Sequence, residues 1–386
     1  MFDKALIEKF NKIPTPFYYY DVHLLKDTLE KALQSASQYD YLIHYAIKAN
    51  ANSRVLEIAR DMGFGADCVS GNEVSKAVSA GFDTGGIVYA GVGKADHEIN
   101  IALDNDIMCF NCESGAELQV INRIAKDRNK KARVSLRINP NLPAHTHHYI
   151  TTGLEENKFG IYLWELENIL DLLDGLKNIE LIGLHFHLGS QITDLNIFRG
   201  LCIRVNEIQK WFISRKIIVD HINVGGGLGV DYENPDTNSI PDFNTFFMLF
   251  HELLDLRPKQ KLHFELGRCL TAHCGSLITK VLYIKRGVKT SFAIVDAGMT
   301  ELIRPALYQS YHKIENITSN GSTKKYDVVG PICESSDCFG KAVALPETKR
   351  GDLIAIRSTG AYGEVMTSQY NLRDKVKAYY SDEMDY

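Results

Sequence analysis

No stretch of this 386-residue chain comes near the ~18 consecutive apolar residues that a membrane-crossing helix requires, so no membrane-spanning role is expected. The opening run Met1-Phe2-Asp3-Lys4-Ala5-Leu6 has no basic stretch leading into an apolar one, and no secretory leader is expected from it. Cysteine is sparse: eight residues (Cys68, Cys109, Cys112, Cys202, Cys269, Cys274, Cys333 and Cys338), too scattered over this length for a disulfide framework. Without a leader they read as reduced thiols of a cytoplasmic protein. Cys109-x-x-Cys112 lacks the second pair that completes a zinc site and lies in an apolar, strand-like run, which points to core packing and to no metal. Excess positive charge is also missing. Lys and Arg number 43 against 48 Asp and Glu, a net charge of −5, which argues against a nucleic-acid partner. There is no internal repeat and no low-complexity tract. What is present is ordinary globular composition, 45% hydrophobic and 24% charged, enough for two domains or a barrel with an addition.

Short β-like runs alternate with longer amphipathic ones through the middle of the chain. The strand candidates are Tyr41–Ile47, Gly65–Val69, Gly86–Ala90, Ile107–Asn111, Arg133–Asn139, Leu181–His187, Ile217–Val224 and Lys261–Leu266. Between them, segments such as Arg54–Met62, Asn72–Ala80, Ala95–Asp104, Ala116–Asp127, Leu163–Leu176 and Phe198–Arg215 carry apolar residues at helical spacing. Eight such repeats predict a closed parallel (β/α)8 barrel, with an open doubly wound sheet as the competitor. After residue 270 the texture changes. Ser276–Arg286, Ser291–Asp296, Asp327–Val329, Asp352–Ser358 and Lys375–Tyr380 look like strands without long helices between them, which predicts a C-terminal antiparallel β domain, barrel or sandwich. The strand-like Pro14–Asp21 falls outside the barrel count and is expected to pair with that domain. The expected boundaries are 1–26 for this N-terminal segment, 27–268 for the barrel and 269–386 for the β domain.

The polar residues collect where a barrel of this kind carries its chemistry, at the C-terminal strand ends, with phosphate often bound after strands seven and eight. Lys48 directly follows the first strand, in Tyr45-Ala46-Ile47-Lys48-Ala49-Asn50, and His187 ends the sixth, in His185-Phe186-His187-Leu188-Gly189-Ser190. Gly225-Gly226-Gly227-Leu228-Gly229 follows the seventh, and Glu265-Leu266-Gly267-Arg268 ends the eighth. Each has a bland reading. A strand-end lysine is usually a snorkelling surface residue, a triple glycine a tight turn, and Glu265 an ion-pair partner of Arg268. Each also has a chemical one. A partly buried lysine becomes a usable amine, bare glycine N–H groups approach a phosphate, and a carboxylate holds a pyridine nitrogen protonated. Taken together, lysine, glycine cradle, carboxylate and stacking histidine make a pyridoxal 5'-phosphate site, in which the cofactor joins the lysine as a Schiff base.

These motifs resemble the barrel-type (fold III) pyridoxal-phosphate decarboxylases of basic amino acids, whose fold is shared with alanine racemase. Val295-Asp296-Ala297-Gly298-Met299, Arg304-Pro305-Ala306-Leu307-Tyr308, Cys333-Glu334-Ser335-Ser336-Asp337 and Gly360-Ala361-Tyr362-Gly363 narrow the resemblance to the branch acting on diaminopimelate, from about Thr15 to about Asn371. The resemblance implies conversion of meso-2,6-diaminopimelate to L-lysine and CO2, the last step of lysine synthesis, by a homodimer with active sites at the subunit interface. It implies that Lys48 bonds the cofactor, His187 stacks on its ring and Glu265 pairs with its pyridinium nitrogen. It implies that Ser190 and Gly225, Gly226 and Gly227 cradle the phosphate, with Gly267 beside them. Asp67, by its place at the end of the second strand, reads either as a neighbour of Lys48 that tunes its charge or as a turn residue. The resemblance further implies that Arg268, Arg304 and Tyr308 hold the distal carboxylate of the substrate and that Tyr362 borders cofactor and substrate. From the partner subunit, Glu334 would take the distal ammonium and Cys333 would protonate the carbanion left by CO2. One departure is visible: the family more often has proline where Leu266 stands.

The nearest rivals are decarboxylases of carboxynorspermidine, ornithine or arginine. Diamine precursors such as ornithine lack the distal carboxylate that Arg304 and Tyr308 would bind. Alanine racemase typically sets an arginine at the pyridine nitrogen, where Glu265 stands here. A non-catalytic cofactor carrier would not need Lys48 and Cys333 together. His145-x-His147-His148, before Thr151-Thr152-Gly153, has no carboxylate or cysteine at ligand spacing and reads as a loop over the barrel mouth.

Overall fold

Runs rich in Val, Ile and Phe, each too short for a helix, give parallel strands, and side-chain caps start the helices that separate them. Asn52 accepts from the Arg54 N–H at 3.1 Å, Ser70 from the Glu73 N–H at 3.2 Å and Ser114 from the Glu117 N–H at 3.2 Å. The computed structural model describes residues 2–142 and 157–384, so His145, His147, His148 and Thr151-Thr152-Gly153 lie outside the described residues. The chain divides into two compact units, Leu29–Gly229 with Asp242–Gly267, and Met1–Thr28 with Val230–Pro241 and Arg268–Tyr386. The segment Val230–Pro241, counted from sequence with the barrel, thus groups with the β-rich unit. Among the described residues no helix is long and apolar enough to cross a membrane.

After β1 (Phe17–Tyr20) come the strands of the first unit: β2 (Leu42–Ala46), β3 (Gly65–Cys68), β4 (Ile87–Tyr89) and β5 (Cys109–Cys112), then β6 (Ala132–Arg137), β7 (Ile179–His185), β8 (His221–Asn223) and β9 (Lys261–Leu266). They pair in sequence order, all parallel, and β2 closes on β9 through Leu42↔His263 to Tyr45↔Leu266, giving the expected closed barrel. The helix Phe243–Leu253, which the sequence reading passed over, is capped by Asp242 and packs Phe246, Phe247 and Phe250 edge-on against Phe264 of β9.

The barrel interior is unusually polar for a fold whose core is commonly Val, Ile and Leu. Three imidazoles make a directed chain there. The Gly86 carbonyl can only accept, so His44 Nδ1, 2.9 Å away, carries the hydrogen. His44 Nε2 then accepts from His263 Nδ1 at 2.9 Å, and His263 Nε2 from His221 Nδ1 at 2.9 Å. Burial holds all three below the ordinary histidine range, so the neutral tautomers fixed by this chain are the resting ones. His221, at the half-buried end, lies near Asp220, Arg133 and Lys261.

The β-rich unit is one eight-stranded sheet. Its strands are β1, β10 (Gly275–Arg286), β11 (Ser291–Val295), β12 (Ile314–Asn316), β13 (Thr323–Val329), β14 (Cys338–Pro346), β15 (Leu353–Ile356) and β16 (Lys377–Tyr380). β1 pairs antiparallel with β10, as its strand-like sequence suggested. The sheet is mixed, however, and not wholly antiparallel as expected. β1 runs parallel to β16 and β11 parallel to β13, because the chain returns to each partner by a crossover and not by a hairpin.

The histidine chain makes acid stability testable. The unfolded chain takes up protons near pH 6.5, the folded one only further down, so the unfolded state binds more protons in that window and stability falls as pH drops through it. Melting temperature should fall from about pH 7.5 to about pH 5, and His221→Gln, which still donates and accepts but cannot take a proton, should flatten the slope. Identical slopes for the two proteins would refute this role.

Candidate active site

Glu265 is a buried carboxylate residue of the barrel, 5% exposed on β9. Three side chains from other strands compensate it. Asn111 Nδ2 and Asn223 Nδ2 donate to Oε1 at 3.1 and 2.8 Å, and His185 Nε2 approaches Oε2 at 3.1 Å. Burial alone would raise the carboxyl pKa. The His185 contact, first, and the Lys48 charge outweigh it and hold the group below the usual carboxylate range. Arg268, the ion-pair partner that the spacing suggested, hydrogen-bonds Tyr232 instead.

Lys48 sits on the 3₁₀ turn Ile47–Ala49 that ends β2, the neighbour of β9. Its ammonium pairs with Asp67 of β3, whose side chain is fully buried while that of Lys48 is 30% exposed. Burial first and the Glu265 charge second push the Asp67 carboxyl up to about 7, with the Lys48 ammonium pulling the other way. The second Asp67 oxygen, Oδ1, is buried without a hydrogen-bond partner among the described residues. A carboxyl poised near neutrality is a place to put the proton of the adjacent amine.

The glycine run is dictated by packing. A Cβ on Gly226 would lie 1.9 Å from the Glu265 carbonyl oxygen. Gly225 (φ +69°) and Gly227 (φ +110°) adopt backbone that side chains disfavour, against the Phe186 and Gly189 carbonyls. The tight-turn and anion-cradle readings are therefore compatible, since the same threading brings bare backbone to the strand ends. Backbone bonds from Ile192 N–H to the Gly227 carbonyl (2.8 Å) and from Gly229 N–H to the Ile192 carbonyl (2.9 Å) stitch the loop that bears Ser190 to the run. Gly226 N–H donates to His187 Nδ1 at 3.3 Å. Burial, then the Arg137 and Lys48 charges, hold His187 well below the ordinary range, leaving a neutral flat ring. Gly267 packs under the lysine turn, where an added Cβ would come within 2.8 Å of Ala49 Cβ.

The remaining candidates belong to the β-rich unit. Arg268 and Arg304 are both buried and both donate to the Tyr232 hydroxyl, at 2.7 and 3.1 Å. The Arg268 guanidinium lies over the Tyr362 ring, 4.8 Å from its centroid. Tyr308 is half-buried at the end of the short helix Arg304–Tyr308 that Arg304 begins. Cys333 and Glu334 are exposed, with Cys333 N–H donating to Asn371 Oδ1 at 3.2 Å and Tyr370 Oη donating to Glu334 at 2.7 Å. Their loop is pinned by buried Asp337, which accepts from Met299 N–H at 2.6 Å and Ile332 N–H at 2.7 Å.

Cys109 and Cys112 are buried, as core packing requires. Sequence reading missed Asn111, Asn223 and His185 around Glu265. It also missed Arg137, which is buried against Glu113 at 2.6 Å, as well as Tyr232 and Asp337. His185 and Asn223 carried a signal, each ending its strand two residues ahead of a predicted site residue, and Asp337 closed the Cys333–Asp337 motif. The donor set fits pyridoxal phosphate. Adjacent strands β2 and β9 present an amine and an ionised carboxylate for an aldehyde and a ring nitrogen, and β8 leads into the glycine run for the phosphate.

Residues 25–272 match the family model described as the pyridoxal-binding domain of pyridoxal-dependent decarboxylases. The chain is 59% identical to the diaminopimelate decarboxylase of Bacteroides thetaiotaomicron over 98% of each protein. It is 42% identical to that of Helicobacter pylori strain J99, over 96% of this chain and 91% of the relative. The crystal structure of the H. pylori enzyme complexed with L-lysine superposes with a TM-score of 0.91 at 41% identity, covering 97% of this chain and 93% of the other.

Gly226→Ala should lower stability by about 2–3 kcal/mol, because the new methyl group meets main chain and not a movable side chain. Thermal melting checks this, and an unchanged melting temperature would show that β8 and β9 are not locked as described.

Proposed function

The chain belongs to the pyridoxal-dependent decarboxylase family and, within it, to the diaminopimelate decarboxylases, and from that premise we propose how its residues convert meso-2,6-diaminopimelate to L-lysine and CO2. The observation that carries this reading is the buried Glu265, its carboxylate accepting from Asn111 and Asn223, on the strand next to the one that ends in Lys48. Pyridoxal 5'-phosphate supplies, when bound, an aldehyde for the amine and a protonated ring able to take up the electron pair released at the substrate α-carbon. Glu265 keeps the ring nitrogen protonated, and a carboxylate already stripped of water interacts there more strongly than a solvated one. Lys48 anchors the cofactor, and Asp67 takes or returns its proton. The Gly227 N–H and the Ser190 hydroxyl hold the phosphate, while Gly225 and Gly226, whose N–H groups go to Asn223 Oδ1 and His187 Nδ1, leave room for it by lacking side chains, and the neutral His187 ring covers the cofactor face. Gly267 gives the lysine turn its room.

Arg268, Arg304 and Tyr308 grip the distal carboxylate, which fixes the far end of the substrate and so sets the angle of the bond that breaks. Tyr362 lines the same region. Arg304 favours diaminopimelate over ornithine, arginine or carboxynorspermidine: among the described residues no carboxylate pairs with this buried cation, and only a substrate with a second carboxylate supplies one. We take the working form to be a cytoplasmic homodimer in which Cys333 and Glu334, exposed on their pinned loop, complete the partner's site. There Glu334 takes the distal ammonium, and the Cys333 Sγ–H delivers its proton to the α-carbon.

The holoenzyme should release CO2 from meso-diaminopimelate with kcat/KM at least about a hundredfold above ornithine or arginine. Comparable rates on all three would reject the specificity. Lys48→Ala should lose the visible absorption band of the bound cofactor together with activity, and a surviving band would reject the lysine assignment. Mixed dimers of Lys48→Ala and Cys333→Ala chains should regain activity. Inactivity in verified heterodimers would show that the sites are not shared.

A further inference from the structure

Tyr232 lies in Val230–Pro241, the short segment that groups with the β-rich unit. Its hydroxyl oxygen accepts from Arg268 Nη1 at 2.7 Å and from Arg304 Nη1 at 3.1 Å. The His312 ring meets the tyrosine edge-on at 5.2 Å and fixes its tilt. A phenol has two acceptor positions and one hydrogen to give. Both acceptor positions are taken by guanidinium N–H groups, so the hydrogen must be given elsewhere, and among the described residues no acceptor receives it.

The two cations are 7% and 6% exposed, a costly pairing of like charges. Arg304 Nε is buried without a partner among the described residues. Burial and the neighbouring Arg268 charge weaken Arg304's hold on its proton, while the same two cations draw the Tyr232 hydroxyl below its ordinary range despite burial. Two guanidinium groups and a phenol hydrogen thus converge, with the Tyr232 oxygen and the Ala361 carbonyl as neutral acceptors, which is the form of a receptor for an anion with two oxygens, a carboxylate.

We propose that Tyr232 selects the substrate: its oxygen sets the spacing of Arg268 and Arg304, and its hydroxyl hydrogen is donated to the distal carboxylate. This inference rests on the reading of the two arginines as that carboxylate's clamp and adds to it a residue from a different segment. It assigns Tyr232 to recognition of one end of the substrate and to nothing at the reacting carbon.

The test compares Tyr232→Phe with the unaltered holoenzyme, using as competitive inhibitors glutarate, a five-carbon dicarboxylate, and 1,5-diaminopentane, which has no carboxylate. The phenylalanine keeps the ring over which Arg304 lies, 5.5 Å from the centroid, and removes only the oxygen. KM for meso-diaminopimelate should rise about tenfold or more, the loss of one hydrogen bond to a charged group, and by more than kcat falls. Inhibition by glutarate should weaken in parallel and inhibition by the diamine should not. An unchanged KM, or equal weakening of both inhibitors, would overturn the proposal. Tyr232→Gln, whose amide both accepts and donates, should recover part of the loss even if the phenylalanine variant folds poorly. No recovery relative to Tyr232→Leu would count against the hydrogen-bond account. Arg304→Met separates the two levels. If it raises KM while Tyr232→Phe does not, the clamp stands and the tyrosine's role falls; if neither raises KM, both fall.

Discussion

An ionised carboxylate inside a parallel barrel is the constraint that organises the first unit. Burying an uncompensated carboxylate would cost several kcal/mol, enough to neutralise it. Asn111, His185 and Asn223, on β5, β7 and β8, converge on Glu265 and make the charge tolerable. That convergence needs those strands in their observed register, and it needs the Gly225–Gly227 turn to pass close over the Glu265 backbone. The polar interior is therefore part of the chemistry and not a flaw in the core. Asn, His and Glu stand where branched aliphatic residues usually do, because the group they serve must remain charged in a dry place.

Most buried cations have a carboxylate beside them, in the β-rich unit as well, where Arg357 pairs with Asp236 and Glu315. In the barrel, buried charges are matched at home: Lys48 with Asp67, Arg137 with Glu113, Lys94 with Glu117. Arg268 and Arg304 of the β-rich unit, by contrast, share the Tyr232 phenol. The first arrangement suits a group whose ionisation must be set in advance, the second suits a group waiting for an anion.

The barrel was legible because parallel strands buried on both faces read as short apolar runs, and all eight lie within a few residues of where the sequence placed them. The helix Phe243–Leu253 was missed although Phe243, Phe246, Phe247 and Phe250 have helical spacing and Asn244, Thr245, His251 and Glu252 form an exposed polar face. Ile314–Asn316 and Cys338–Pro346 went unseen because a three-residue strand carries no period and β14 has a mixed burial pattern. In the site, Lys48, His187, the glycines and Glu265 were visible as unusual residues at strand ends. Asn111, Asn223 and Tyr232 were not, because an amide or a phenol means nothing until geometry shows whose hydrogen bonds it completes.

The account stands most directly on the charge state of Glu265, which isotope-edited infrared spectroscopy of its side-chain carboxyl reads without reference to turnover. If the Asn111, Asn223 and His185 contacts govern, the ionised carboxylate band persists to about pH 4, where an ordinary glutamate is already more than half protonated. If burial governs instead, the protonated band appears well above that pH, and a barrel built to keep a ring nitrogen charged would be contradicted.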